Sequence, residues 1–76
     1  MKWWNISVTG YGDFQYFGTR KQADERAKHK AQWEGGAAKV REANDSEAAE
    51  GADHIRWRKE NGYPLERWER DALSLQ

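Results

Sequence analysis

The feature that most constrains this chain is an alternation of large rings at its start. Trp4, Ile6 and Val8 fall on one side of an extended segment, and Trp3, Asn5 and Ser7 on the other. A period of two with aromatic and β-branched members is that of a strand. Gly10-Tyr11-Gly12-Asp13 comes next, and glycine supplies positive φ in a turn without steric cost. Phe14, Gln15, Tyr16 and Phe17 continue as a second strand, so the segment reads as a β-hairpin with Phe14 and Tyr16 on the face of Trp4, Ile6 and Val8. A hairpin alone is marginal in water, so its ring-bearing face needs a further strand and a helix.

The rest of the sequence supplies both. Thr19-Arg20-Lys21-Gln22 fits a capping box and opens a helix running to about Glu34. Ala23, Ala27 and Ala31 form a narrow stripe of small residues on it, which lets the helix backbone approach the rings closely. Gly35-Gly36 stops it. Residues 37–43 suit a short polar strand or a helix; the strand is favoured because it completes a three-stranded sheet. Asn44 and Glu47 form a second capping box, and Ala48, Ala52 and Ile55 make the apolar stripe of the helix it opens. Gly51 should weaken that helix by about 1 kcal/mol relative to alanine. Asn61-Gly62 ends it, Pro64 is expected at the first position of a last short helix, and Leu65, Trp68 and Ala72 repeat there at helical spacing. The order β-β-α-β-α-α over a single domain, 1–76, is that of a small α+β fold: a three-stranded antiparallel sheet packed by helices.

Composition sharpens this picture. Leu, Ile, Val and Phe together number nine of 76 residues, while Trp and Tyr number eight. So few aliphatics would suggest disorder in a highly charged chain, but net charge is zero and disordered chains are poor in aromatics. The core must therefore be rings and alanines. Trp4, Phe14, Tyr16 and Trp68 fit the stripes. Trp3, Trp33 and Trp57 do not; Trp57 lies 200° round the helix from Ile55. These three either close a smaller second core, for instance Trp3 and Phe17 under the last helix, or stand at the surface for a partner.

Several function classes find no support. The sequence has no Cys, hence no disulfide, thiol chemistry or Cys-type zinc site. His29 and His54 have no carboxylates at ligand spacing, so neither a metal nor another cofactor is expected. Nucleophile-elbow, P-loop and His-Glu-x-x-His motifs are missing, and Gly10-Tyr11-Gly12 lacks the third glycine of a dinucleotide loop, so the chain is not expected to be an enzyme. No apolar run is long enough to span a membrane, and the start lacks the apolar stretch of a signal peptide, so the expected compartment is the cytoplasm.

The charges are unevenly spread. Residues 1–33 carry six bases and three acids, 34–53 two and six, and 54–76 five and four. The acidic block is Glu42, Asp45, Glu47, Glu50 and Asp53. Acids at a helix start are favoured by the helix dipole, which is explanation enough for them. They would also suit a surface that docks on a basic partner by imitating a row of phosphates. The run His54-Ile55-Arg56-Trp57-Arg58-Lys59 mixes bases with a ring, as nucleic-acid binders do, yet zero net charge and nearby Glu60, Glu66 and Glu69 argue against nucleic acid as the partner.

The stretch Gly18-Thr19 through His29-Lys30-Ala31-Gln32-Trp33-Glu34-Gly35, after an aromatic hairpin, resembles small proteins encoded by bacteriophages and prophages. The resemblance covers the first 43 residues. It implies a bacterial host cell and a setting in which proteins of this size bind and block a host factor, anti-CRISPR proteins among them. The reading that follows is a protein-binding inhibitor, in its sharpest form an anti-CRISPR keeping nucleic acid from a Cas protein or complex. Asp45, Glu47, Glu50 and Asp53 would face basic residues of the host protein, with Arg56 and Trp57 as central anchor. Reversing the charge of Glu47 and Glu50 is then expected to abolish binding and leave stability intact. The alternatives are a nucleic-acid-binding accessory protein using Arg56, Trp57, Arg58 and Lys59, and a structural homo-oligomer; a homodimer would also shelter so small a core.

Overall fold

A computed structural model describes residues 1–74, so the last two residues of the expected 1–76 domain lie outside it. Strands β1 (Lys2–Val8), β2 (Gly12–Gly18) and β3 (Ala38–Glu42) alternate with helices α1 (Arg20–Glu34), α2 (Asp45–Glu60) and α3 (Arg67–Ser74) in the order β-β-α-β-α-α. The sheet is antiparallel, with β1 in the centre and β2 and β3 as its edges. Residues 37–43 thus take the strand alternative, with Val40 opposite Ile6. The molecule is an α+β domain.

The hairpin register sets the first core. Trp4 faces Tyr16 and Ile6 faces Phe14, so all four rings or branched chains point to one side. There Trp4, Ile6, Val8 and Tyr16 bury themselves against Ala23 and Ala27 of α1. The large groups come from the sheet and the small ones from the helix, as the alanine stripe requires. The Trp4 indole N–H donates to the Gly18 carbonyl at 3.0 Å, which settles the one polar atom of that ring. Both capping boxes form: Thr19 with Gln22 and Asn44 with Glu47.

The other face of the sheet carries a second core under α2 and α3. Phe17, Ile55 and Ala72 are its buried members, and Trp3, Leu65, Trp68 and Leu73 pack against them. Trp3 meets Phe17 edge to face at 5.4 Å, so this ring closes a core and is not an exposed one. Asn5 is fully buried on the same face, where it accepts from Gln15 (2.9 Å) and donates to Asp13 (3.2 Å). Trp68 packs against both cores and lies 4.7 Å from the Tyr16 ring, at the β2 edge of the sheet.

Two expectations need correction. Pro64 does not begin the last helix, which starts at Arg67. Its carbonyl is taken by the Arg58 guanidinium at 2.9 Å, which ties the linker to α2. The helix begins only where the buried Glu69 carboxylate can reach back to the Glu66 N–H at 2.8 Å. Gly51 is not simply a weak point of α2 either. A Cβ there would lie 2.5 Å from Trp3 Cζ3 and 2.9 Å from Gln15 Cβ, so glycine is what lets α2 lie on the sheet.

Candidate functional site

On α2 the buried residues Gly51, Ala52 and Ile55 mark the face that packs on the sheet. Ser46, Glu50, Asp53 and Trp57, spaced four, three and four apart, run along the opposite side and are all exposed. Glu50, Asp53 and Trp57 therefore share one strip of surface. Asp45 is exposed in the first turn beside that strip. Arg56 is exposed and pairs with Asp53 at 2.8 Å, across one turn. Pairs this open to water are worth little and exchange partners readily.

Trp57 stays 52% exposed, a large apolar ring left in water. It is nevertheless held. The His54 imidazole stacks against it at 6.3 Å and 12°, and the Tyr63 ring at 5.7 Å and 26°. A ring already fixed in a stack loses little rotamer freedom on docking, which makes it a better anchor than a mobile one. Sequence reasoning missed His54 and Tyr63 as members of this site. The signal for His54 was its place one turn before Trp57; Tyr63 sits beyond the Asn61-Gly62 stop and only the folded linker brings it back.

Glu47 stands apart from the strip. Its two carboxylate oxygens receive the Arg41 guanidinium at 2.7 and 2.6 Å, and one also accepts from the Asn44 N–H at 3.0 Å. The carboxylate joins β3 to the start of α2. The hydrogen bond from Arg41 and then the one from Asn44 hold its pKa down to about 2, and the same contact raises that of Arg41. Reversing its charge would thus disturb the fold, and the stability expected to survive that change would not. The sign of the pH effect follows from the lowered pKa. Glu47 contributes stability above its ordinary value of 4.5, and that contribution fades as pH falls towards about 2. Glu47→Gln is therefore expected to melt below the parent chain at pH 7 and level with it near pH 2; equal melting temperatures at both pH values would remove this role.

The basic run at the end of α2 does not form a row. Arg58 turns inward to Pro64 and to Glu69, whose carboxylate lies 3.5 Å away, and Arg56 is drawn to Asp53. Trp33 is the other open indole, 75% exposed, and donates through Nε1 to His29 Nε2 at 3.1 Å. Among the described residues no three His, Asp or Glu side chains converge as metal ligands would, and no helix is long and apolar enough to cross a membrane.

No known protein family, curated protein or solved structure matches the chain. What it does must be argued from its own surface.

Proposed function

We propose that the chain is a protein-binding module that inhibits a host protein by covering a basic surface on it, in its sharpest form an anti-CRISPR that keeps nucleic acid from a Cas protein or complex. One observation carries this reading: Trp57, half exposed yet held by stacking on His54 and Tyr63, sits in line with Glu50 and Asp53. A rigid aromatic anchor beside charged side chains is the make-up of a binding hot spot. The carboxylates select a basic partner and steer its approach. The resemblance of the first 43 residues to small phage proteins supplies the host-cell setting. Asp45, at the end of the strip, and Arg56, beside Asp53, border the contact.

The test is affinity capture with the parent chain, Trp57→Ala and Glu50→Lys/Asp53→Lys, run against bacterial lysate and against purified Cas–guide complexes. Glu50 and Asp53 are exposed, so the double charge variant should stay within about 0.5 kcal/mol of the parent in stability, while Trp57→Ala gives up its contacts with His54 and Tyr63 and should cost about 1 kcal/mol. The expected result is a target held by the parent, lost by both variants and hindered in DNA binding by the parent alone. A target held equally by all three, or one that binds DNA undisturbed in the complex, would refute the reading. A shift of free DNA by the chain would favour the accessory nucleic-acid binder, which the inward turn of Arg58 speaks against.

A further inference from the structure

We infer that the free edge of β2 accepts an extended, acidic segment of a protein partner as a fourth strand. This rests on the reading of the chain as a protein-binding module and assigns it a second recognition surface, which shares His54 with the site on α2.

The argument starts from the direction of main-chain groups. Thr9 N–H donates to the Ala37 carbonyl and Ala43 N–H to the Trp3 carbonyl, so odd-numbered residues of β1 turn their polar groups to β3. Along a strand these groups alternate sides, so even-numbered residues turn theirs to β2. The register then pairs Ile6 with Phe14 and Trp4 with Tyr16 through hydrogen bonds. Asp13, Gln15 and Phe17 must face the other way, off the sheet. Among the described residues, none of their main-chain N–H or C=O groups has a hydrogen-bond partner in the protein.

Natural edges are usually blunted by Lys, Pro, a bulge or a covering element. The β2 strand, Gly-Asp-Phe-Gln-Tyr-Phe-Gly, has neither Lys nor Pro. Trp68 and Arg26 shield its Tyr16 end, since Arg26 lies 5.1 Å from the Tyr16 ring and 5.8 Å from that of Trp68. The Asp13–Gln15 end is open and forms the floor of a cleft of about 680 Å³. Residues of α1 line one wall, Trp33 and His29 among them, and His54 of α2 stands on the other. Unpaired main-chain groups at the floor of a walled groove match an extended backbone, and alternate side chains of that backbone would meet the two walls in turn.

The walls also indicate the charge of the segment. Of the acids in the cleft, Glu66 is held by Arg26 and Glu69 by Arg58. Asp13 already accepts from Asn5. The open half holds Lys30 and His29 on its α1 wall beside the one carboxylate of Asp13 on β2. Lys30 has only a loose pair with Glu34 at 3.6 Å, and its ammonium sits 4.0 Å over the Tyr11 ring. His29 accepts at Nε2, so its proton is on Nδ1, where it can donate. A carboxylate on the incoming segment complements both, and Tyr11, Phe14 and Trp33 suit aromatic or aliphatic neighbours of it.

The test is selection of random dodecapeptides displayed on phage against the whole chain, followed by amide hydrogen exchange with the selected peptide. Enriched sequences should alternate apolar residues and carry Asp or Glu. The bound peptide should slow exchange at the Asp13 and Gln15 amides at least about tenfold, leaving the opposite edge at Val40 unchanged. Lys30→Glu should weaken the peptide about tenfold, whereas Glu50→Lys, on the strip but outside the groove lining, should leave it unaffected. Glu50→Lys thus separates failure of the α2 strip from failure of the groove. No enrichment, selected peptides that leave Asp13 and Gln15 unprotected, or a dimer in sedimentation that shields those two amides would each overturn the inference.

Discussion

Glu69→Ala is expected to cost the chain about 3 kcal/mol, the scale of breaking one partner from a buried ion pair. Glu69 is 1% exposed, the most deeply buried charged side chain among the described residues. One of its oxygens accepts from the Glu66 N–H at 2.8 Å and so starts α3; the other lies 3.5 Å from the Arg58 guanidinium. Arg58 in turn fixes the linker through the Pro64 carbonyl, and its Nε is buried with no hydrogen-bond partner. Removing the carboxylate therefore does two things at once. It uncaps the helix that closes the second core, and it takes from the Arg58 guanidinium the carboxylate it is paired with. A 76-residue chain without staples has only a few kcal/mol in hand, so the variant should be largely unfolded at 37 °C. Urea melts of Glu69→Ala, Arg58→Ala and the double variant give the check. The double change should cost clearly less than the two single ones together, because each single change already breaks the same pair. Strict additivity, or a loss below about 1 kcal/mol for Glu69→Ala, would show that the pair matters little.

That pair also shows where the sequence stops being informative. The hairpin, the alanine stripe of α1 and both capping boxes are local patterns, and each has one reading. They gave the hairpin, α1 and the first core, whereas residues 37–43 suited a strand or a helix until they paired with β1. The far side of the sheet is different, because it depends on where α2 and α3 are laid down, which no local period encodes. Trp3, Trp33 and Trp57 look alike in sequence, all three off their stripes. Packing separates them: Trp3 is covered by α2, while Trp33 and Trp57 stay open. Glu47 and Glu50 likewise read as two acids of one block. Only the meeting of β3 with α2 brings Arg41 to Glu47 and takes it out of the docking strip. The acids and Trp57 of the candidate site were therefore legible, but its stacking partners and the free edge of β2 were not.

Gly51→Ala is the sharper case, because sequence and structure predict opposite signs. In an exposed helix the change would stabilise by about 1 kcal/mol, since alanine is the better helix former. Here the new methyl would be placed 2.5 Å from Trp3 Cζ3, 2.9 Å from Gln15 Cβ and 3.0 Å from Trp3 Cη2. Neither neighbour can yield easily. Gln15 Cβ is fixed by the backbone of β2, and the Trp3 ring is wedged edge to face on Phe17. Overpacking of this kind costs about 1–3 kcal/mol, so it outweighs the gain in propensity. A fall of several degrees in melting temperature is expected for a domain of this size, with loss of near-ultraviolet tryptophan dichroism as the second core loosens. Gly51→Val, with two further methyls and a stiff χ1, should not fold. The cause can be isolated in a Trp3→Leu background, where the ring that blocks the methyl is gone. There the cost of Gly51→Ala should shrink to what the remaining 2.9 Å approach to Gln15 Cβ imposes. A higher melting temperature for Gly51→Ala in the parent chain would mean that α2 can lift off the sheet at no cost. Few aliphatics are available to this chain, so its second core relies on flat rings pressed against bare backbone, and Gly51 is where that contact is closest.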